Sequence, residues 1–347
     1  MKTFSHSKPN KILIRAVNWV GDAVMTTPAI GAIREHFPQA EITLLANSLV
    51  AELFSPHEWV DRVITFDRNC AHHGIRGRLR LAASLRKEKF DATVILPNSF
   101  DSALVPWLAG IPIRIGKSSD GRGFMLTERF KPDKQAHFGH EVEYYLGLVS
   151  SFGIISQLKT PQLTLTSAED MDTAARLAEH GIHPGDCILG INPGAAYGSA
   201  KRWYPDRFAE VARQLADKWS AKVLIFGGQG ETDIAAEIEQ QLGRNCLNLA
   251  GKTSVRELLA LIRRCSFFIT NDSGPMHVAA ALGVPLVAIF GPTDHATTSP
   301  YAQKAYIVRN HIECAPCKLR KCPTDHQCMS GITVDQVVEA ALKLSLT

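Results

Sequence analysis

Short apolar runs alternate with segments of helical spacing along most of the chain, and this alternation limits the fold more than any other feature of the sequence. The predicted strands cover 11–17, 41–47, 62–66, 91–97, 187–194, 221–228, 246–251, 266–272 and 284–291. The predicted helices between them include 27–37, 79–88 and 207–218. Strands that alternate with helices form mainly parallel sheets covered by helices. We therefore predict an α/β protein.

The alternation occurs in two similar halves. A length of 347 residues favours two domains. No low-complexity linker separates them, and the break is predicted within 156–170, where Pro and Thr interrupt the pattern. We expect two Rossmann-like, doubly wound domains facing a central cleft, with ligands beyond the carboxyl ends of the strands.

Composition excludes some classes of protein. Hydrophobic residues make up 45% of the chain and charged residues 21%, which is ordinary for a folded globular protein. No run of about 18 apolar residues is present, so no membrane span is predicted. The N-terminal stretch MKTFSHSKPNK lacks the apolar segment of a signal peptide, and a cytoplasmic location is the default expectation.

Positive charge is concentrated in the first half. Between Arg68 and Lys89 there are seven Lys and Arg residues and one acid, and Arg114, Lys117 and Arg122 follow. Such a run is often a solvated basic face. The alternative is a surface that attracts an anionic substrate or an anionic membrane. Nucleic acid is not expected, since no aromatic residues interleave with the charges in a stacking pattern.

One motif in the second half has the form of an anion site. The predicted strand 266–272 ends at Asp272, Ser273 and Gly274 form a turn, and a helix carrying His277 in its first turn follows. Free N–H groups at a helix start and the Ser273 hydroxyl can bind phosphate. A Ser-Gly turn also occurs without a ligand, but the combination favours a binding role.

Two further strand ends belong to the same half. NPGAAYGSAKRW (192–203) is a small-residue loop that presents Lys201, a point charge for phosphate. FGGQGETD (226–233) places Glu231 and Asp233 at a helix start, where acids either meet the helix dipole or accept hydrogen bonds from ribose hydroxyls.

The first half begins with an unusual turn. NWVGDAVMTTPA (18–29) follows a predicted strand and has one glycine, Gly21, followed by Asp22, in place of a glycine-rich phosphate loop. Asp22 is interpreted either as an N-terminal helix cap or as a catalytic carboxylate.

Together these motifs resemble glycosyltransferase family 9, the lipopolysaccharide heptosyltransferases, most closely its heptosyltransferase II branch. The resemblance depends on NPGAAYGSAKRW, TNDSGPMHVAAALGVPLVAIFGPT and LPNSFDSALVPWLAGIPIRIG, together with the Gly-Asp turn. It implies the GT-B fold, with an acceptor-binding domain at 1–165, an ADP-sugar-binding domain at 166–332 and a terminal helix within 333–347 that packs back on the first domain.

The family transfers L-glycero-D-manno-heptose from ADP-heptose to heptose I of the lipopolysaccharide inner core, with inversion and without a metal or other cofactor. The resemblance implies Asp22 as general base and Lys201 at the diphosphate. The implied donor-binding residues are Thr253, Asp272, Ser273, Gly274 and His277. The family's ribose acid aligns with Gly230, and Glu231, one residue later, is the candidate here.

The implied acceptor is an anionic lipid A–Kdo–heptose on the inner-membrane surface. Its candidate contacts are Asn98, Ser99, Arg68, Arg114, Lys117 and Arg122. Transfer to another inner-core acceptor, or a GT-B nucleotide-sugar epimerase, are the alternative functions.

Four of the eight cysteines lie in one segment, Cys314, Cys317, Cys322 and Cys328. Four thiols this close can hold Zn²⁺ or an iron–sulfur cluster. Their spacing, C-x2-C-x4-C-x5-C, lacks a second C-x2-C pair. Reduced thiols, or disulfides formed on oxidation, are therefore the alternatives.

Overall fold

A computed structural model describes residues 4–68, 70–131 and 139–345. The chain divides into two compact units, Met1–Thr164 and Leu165–Thr347. This division falls inside the segment 156–170, where the apolar pattern breaks. Among the described residues, no helix is both long enough and apolar enough to cross a membrane.

The first unit contains six strands and six α-helices within its described residues. The strands are β1 (Lys11–Arg15), β2 (Glu41–Ala46), β3 (Arg62–Thr65), β4 (Ala92–Ile95), β5 (Ile113–Lys117) and β6 (Glu128–Phe130). The helices are α1 (Val20–Met25), α2 (Thr27–His36), α3 (Ser48–Leu53), α4 (Gly74–Glu88), α5 (Phe100–Leu108) and α6 (Glu141–Ser150), and 3-10 turns form at Phe4–His6 and Arg122–Met125.

The second unit repeats this pattern. Its strands are β7 (Ile188–Asn192), β8 (Lys222–Ile225), β9 (Cys246–Asn248), β10 (Phe267–Asn271), β11 (Leu286–Phe290) and β12 (Ala305–Arg309). Its helices are α7 (Ser167–Ala178), α8 (Pro205–Trp219), α9 (Thr232–Leu242), α10 (Val255–Arg263), α11 (Gly274–Ala281), α12 (His295–Thr298), α13 (Gln327–Ser330) and α14 (Val334–Ser345). Short 3-10 turns form at Ser199–Lys201, Gln229–Glu231 and Gly243–Asn245.

Both sheets have the strand order of a dinucleotide-binding fold. The first runs β3-β2-β1-β4-β5-β6 and the second β12-β11-β10-β7-β8-β9, and every neighbouring pair is parallel. The order reverses direction between β1 and β4 and between β7 and β10. Loops diverge at these switch points and leave room for a ligand at the carboxyl ends of the strands. The predicted doubly wound α/β fold is confirmed.

The central strands form because they are apolar on both faces. Ile12, Leu13 and Ile14 in β1 are all fully buried, as expected for a strand covered by helices on two sides. A capping box begins α10, since Ser254 and Glu257 exchange side-chain and backbone hydrogen bonds.

The terminal helix α14 packs in the second unit. Val337, Ala340 and Ala341 form its buried face and belong to the hydrophobic core of the second unit, together with Trp203 and Met329. The helix contacts α8, β11 and β12. Its apolar face therefore completes the core of the second unit, and the predicted packing of this helix on the first domain stays a prediction.

Candidate functional site

In the second unit, the switch point between β7 and β10 holds a buried ion pair. Lys201 Nζ, in the loop after β7, lies 2.6 Å from Asp272 Oδ2, immediately after β10. The two side chains are 14% and 5% exposed. Thr293 Oγ1 donates a further hydrogen bond to Asp272 Oδ2 at 2.5 Å. Both residues were predicted at the diphosphate; the structure shows in addition that Asp272 holds the Lys201 ammonium in place.

The end of β10 also fixes the Lys201 loop through its backbone. Asn271 Nδ2 donates to Pro193 O at 2.7 Å, and the backbone N–H of Trp203 donates to Asn271 Oδ1 at 3.1 Å. The Trp203 ring is 1% exposed and donates from Nε1 to Ile332 O at 3.2 Å. The loop is thereby attached to the neighbouring strand on both sides of Lys201.

The predicted anion-binding turn forms at the start of α11. Ser273 is the N-cap residue and its own side chain makes no capping bond. Its hydroxyl instead accepts from Asn192 Nδ2 at 3.1 Å and lies 3.2 Å from Thr270 Oγ1. His277 lies in the first turn of the helix and is 6% exposed. Pro275 has no N–H, and that of Met276 donates to Ser273 O at 3.1 Å. The N–H groups of Ser273 and Gly274 therefore remain at the switch point, beside Asp272 and its partner lysine.

The acid beyond β8 is Glu231, which is the N-cap residue of α9. Its Oε2 accepts a hydrogen bond from Gly228 N at 2.8 Å. Its Oε1 is buried and has no hydrogen-bond partner among the described residues. A Cβ added to Gly194 would lie 2.1 Å from the Glu231 carboxyl carbon, so the carboxylate packs directly on the backbone beyond β7. A hydroxyl donor from a ligand would complete its hydrogen bonding.

Thr253 lies in the turn between β9 and α10 and is half-buried. The preceding Gly251 has a φ of 70°, and its N–H donates to Gly227 O at 2.9 Å. Gln229 Nε2 donates to Gly251 O at 2.7 Å. These bonds join the Thr253 turn to the Glu231 turn. The predicted donor residues of this unit therefore all lie beyond the carboxyl ends of β7, β8, β9 and β10.

The cysteine-containing segment contacts the Lys201 loop, which the sequence did not indicate. Ala200 N donates to Arg320 O at 3.1 Å, and its carbonyl lies 2.7 Å from His326 Nε2. Tyr197 Oη donates to Lys318 O at 3.0 Å. Lys201 Nζ lies 5.0 Å from the centroid of the Tyr197 ring. No local motif marks Tyr197 or His326, so these supports were missed.

The cysteines of this segment are free thiols. Burial raises the pKa of Cys328 to about 11. Among residues 4–68, 70–131 and 139–345, no group of three or more His, Cys, Asp and Glu side chains is arranged to hold a metal ion.

In the first unit, Asp22 lies in the first turn of α1 and is half-buried. The N-cap residue of this helix is Trp19, which makes no side-chain capping bond, and Asp22 lies three residues later. Asp22 lies near Tyr145 of α6, whose pKa is raised well above its usual value, first by burial and then by the Asp22 charge.

A buried cation that sequence reasoning missed ends β1. Arg15 is 5% exposed and donates from Nη1 to Ala16 O at 2.8 Å and to Leu45 O at 3.1 Å. Burial lowers its pKa to about 10, so it stays charged at neutral pH. Since an arginine at the end of an apolar strand carries no recognisable motif, only the packing identifies it.

The acceptor-side candidates separate into two groups. Asn98, Ser99 and Arg68 are exposed, and Lys117 Nζ lies 5.3 Å above the Tyr144 ring. Tyr144 Oη in turn donates to Asn98 Oδ1 at 3.0 Å. Asn98 and Ser99 follow β4 and Lys117 ends β5, whereas Arg68 follows the edge strand β3.

Arg122 and Arg114 donate hydrogen bonds to backbone carbonyls, and their predicted role as acceptor contacts stays a prediction. Arg122 is fully buried and donates from Nη1 to Pro97 O at 2.6 Å and to Ser99 O at 3.0 Å. Arg114 Nε donates to Met125 O at 2.6 Å, and burial lowers the pKa of its guanidinium. Arg122 thus holds the loop between β4 and α5, and Arg114 holds the end of the 3-10 turn Arg122–Met125.

Comparison with known proteins identifies close relatives. The family model for glycosyltransferase family 9 (heptosyltransferase) matches residues 78–327. Lipopolysaccharide heptosyltransferase 2 of Escherichia coli K12 is 35% identical over 95% of this chain and 97% of its own length. Lipooligosaccharide heptosyltransferase 2 of Campylobacter jejuni (strain 81116) is 34% identical over 96% and 99%. The solved structure of E. coli ADP-heptose LPS heptosyltransferase II superposes with a TM-score of 0.83, at 34% identity, over 97% of this chain and 98% of that chain.

Proposed function

Because the chain belongs to glycosyltransferase family 9, the heptosyltransferases, we propose that it transfers L-glycero-D-manno-heptose from ADP-heptose to heptose I of the lipopolysaccharide inner core. The observation that carries this proposal is the similarity to heptosyltransferase 2 enzymes over nearly the whole chain. The two doubly wound units are those of a GT-B glycosyltransferase.

The second unit is proposed to bind the donor. Lys201, positioned by Asp272, and the first turn of α11 with Ser273, Gly274 and His277 offer positive charge and N–H donors to the diphosphate. Glu231 accepts a hydrogen bond from a ribose hydroxyl, which its unpartnered Oε1 supports. Thr253, in the adjoining turn, contacts the adenine side.

Transfer is proposed to be a single displacement with inversion. Asp22 removes the proton of the acceptor hydroxyl, whose oxygen forms the new bond to the anomeric carbon. The bond from that carbon to the diphosphate oxygen breaks on the opposite face, and ADP leaves with the bonding electrons. The Lys201 ammonium and the α11 N–H groups stabilise the charge that develops on the leaving phosphate.

The first unit is proposed to bind the anionic acceptor. Asn98, Ser99, Arg68 and Lys117 remain the candidate contacts, since their side chains are exposed or partly exposed. An acceptor carried by lipid A requires the protein to work at the surface of the inner membrane, as a peripheral protein.

The experiment that tests the proposal supplies ADP-heptose with three purified core acceptors, ending in Kdo, in heptose I or in heptose II, and measures products by mass spectrometry. We expect addition of one heptose to the heptose I acceptor alone. Addition to another acceptor would assign a related heptosyltransferase, and conversion of ADP-heptose without any acceptor would assign an epimerase.

A further inference from the structure

We propose that one outward surface of the first unit docks on an anionic lipid bilayer. The surface, called here the aromatic–arginine surface, is formed by α4, α5 and the 3-10 turn Arg122–Met125. Its apolar members are Ile75, Leu79, Phe100, Trp107 and Phe124, and its exposed cations are Arg76, Arg80, Arg86 and Arg129. The proposal rests on the proposed function in one respect, that the acceptor is anchored in a membrane.

Three aromatic rings lie together at its centre. Phe100, Trp107 and Phe124 are 39%, 41% and 61% exposed. The Phe124 ring centroid lies 6.3 Å from that of Phe100 and 6.0 Å from that of Trp107. Phe100 and Trp107 are seven residues apart on α5, so they share the face of the helix that points away from its buried residues Ser102 and Val105. Large rings exposed side by side are uncommon on a surface without a binding partner.

Helix α4 extends the apolar area. Ile75 and Leu79 are 78% and 49% exposed and lie one helical turn apart. The two helices are held side by side, because Arg78 of α4 forms an ion pair with Asp101 of α5 and Arg86 Nη2 donates to Leu108 O at 2.6 Å. Around the axis of α4, Ile75 and Leu79 lie within about 100° of Arg78 and Arg86, the two residues that contact α5. They therefore lie on the edge of the helix toward α5.

The charges around these residues are positive. Arg76, Arg80 and Arg86 are exposed on α4, and the Arg86 guanidinium reaches the C-terminal end of α5. Arg129 adjoins Gly123 beside Phe124. Two of the nearby acids are paired with arginines, Asp101 with Arg78 and Glu88 with Arg62, and the exposed Asp120 accepts from the Phe100 N–H at 2.6 Å. The surface therefore presents aromatic rings among four exposed guanidinium groups, which outnumber the one exposed acid beside Phe100.

This chemistry fits the headgroup layer of an anionic bilayer. Aromatic rings insert at the boundary between headgroups and acyl chains, while arginines bind lipid phosphates. Charge complementarity selects anionic over neutral lipid. The position also suits the proposed reaction, because Phe100 directly follows Asn98 and Ser99, the candidate contacts of a lipid-anchored acceptor.

The test is co-sedimentation of the full chain with vesicles of phosphatidylglycerol and phosphatidylcholine, or of phosphatidylcholine alone. We expect binding to the anionic vesicles that weakens with salt. The double variant Arg76→Gln/Arg80→Gln should bind about 25-fold more weakly, at about fivefold per charge. Trp107→Ser/Phe124→Ser should bind about tenfold more weakly. Thermal unfolding like that of the wild type would show that the variants fold.

Matched controls lie on the second unit. Met171→Ser/Tyr306→Ser removes two exposed apolar side chains, and Arg213→Gln removes an exposed cation. Both should bind vesicles like the wild type. The proposal would be overturned if the control variants weakened vesicle binding as much as the surface variants do. It would also be overturned if the surface variants bound anionic vesicles like the wild type, or if the wild type bound neutral and anionic vesicles equally. The proposal would likewise be overturned if light scattering showed a dimer of the wild type and a monomer of the Trp107→Ser/Phe124→Ser variant. That result would assign the surface to contact with a second copy of the chain.

Transfer to a lipid-free core oligosaccharide separates this proposal from the proposed function. Loss of vesicle binding with unchanged transfer to that acceptor would support the docking surface. Vesicle binding by a protein that transfers no heptose would leave the surface in place and refute the proposed function. Heptose transfer by a protein that does not bind vesicles would refute the docking surface and leave the proposed function in place.

Discussion

The ion pair between Lys201 and Asp272 should couple the stability of the second unit to donor binding. Removing one member of a buried ion pair costs about 3–5 kcal/mol, because the other charge stays buried. The Lys201 side chain is 14% exposed and can partly reach solvent, so Asp272→Ala should lower the free energy of unfolding by about 3 kcal/mol, the lower end of that range. Lys201→Ala should cost about 2 kcal/mol, since Asp272 still accepts from Thr293.

The double variant Lys201→Ala/Asp272→Ala should lower the free energy of unfolding by about 2–3 kcal/mol, which is less than the sum of the two single effects. The difference is a coupling energy of about 2–3 kcal/mol. Scanning calorimetry measures it: in a unit of this size, 3 kcal/mol lowers Tm by about 6–12 °C. Additive effects, within about 0.5 kcal/mol, would refute the pairing.

Calorimetric titration with ADP tests the role of the pair in binding. Asp272→Asn keeps an acceptor for Thr293 but no longer anchors the ammonium, and we expect about tenfold weaker ADP binding, about 1.4 kcal/mol. Tighter binding by Asp272→Asn would contradict this positioning role, because it would mean that the carboxylate mainly repels the diphosphate.

The remaining predictions concern the base, the ribose acid and a structural ion pair. Asp22→Asn should bind ADP normally and lose about 10²–10⁴-fold in kcat; near-normal turnover would exclude Asp22 as the base. Gly194→Ala should displace the Glu231 carboxylate and weaken ADP binding about tenfold, and Glu231→Gln should have a similar effect. The control Gly230→Ala should bind ADP normally, because its added Cβ meets nothing within 4 Å. The hydrogen bond from Arg256 lowers the pKa of Glu169 from 4.5 to about 2. The stabilisation by this ion pair is therefore complete above about pH 4.5 and disappears as the pH falls toward 2. Glu169→Gln should lower the free energy of unfolding by about 1–2 kcal/mol at pH 7, and its stability should fall less steeply than that of the wild type between about pH 4.5 and 2. An unchanged slope in that pH range would argue against the pair.

The central strands could be predicted from the sequence because burial on both faces demands continuous apolar runs, as in Ile12, Leu13 and Ile14. Strands β5, β6 and β12 were not predicted. They lie toward the sheet edges, where Arg114, Arg129 and Arg309 interrupt the apolar pattern. Helix α4 begins at Gly74, earlier than predicted, because its first turns carry Arg76, Arg78 and Arg80 on a weakly apolar helix.

The site could be predicted only where a motif is local. The Asp272-Ser273-Gly274 turn was recognised from adjacent residues, but its ion pair with Lys201 depends on β7 and β10 being neighbours in the sheet. Arg122 has the same charge as Arg68 in the sequence, yet one is fully buried and the other exposed. Composition does not distinguish them, since burial of a cation depends on carbonyl groups supplied by distant loops.

The most direct test of the proposed activity is the release of ADP from ADP-heptose by the wild-type protein, measured with and without a core acceptor that ends in heptose I. We predict that ADP appears together with an equal amount of acceptor carrying one further heptose, and that release without acceptor is slower by orders of magnitude. ADP release that does not depend on the acceptor, or no release with it, would contradict the proposal that this chain is an inner-core heptosyltransferase.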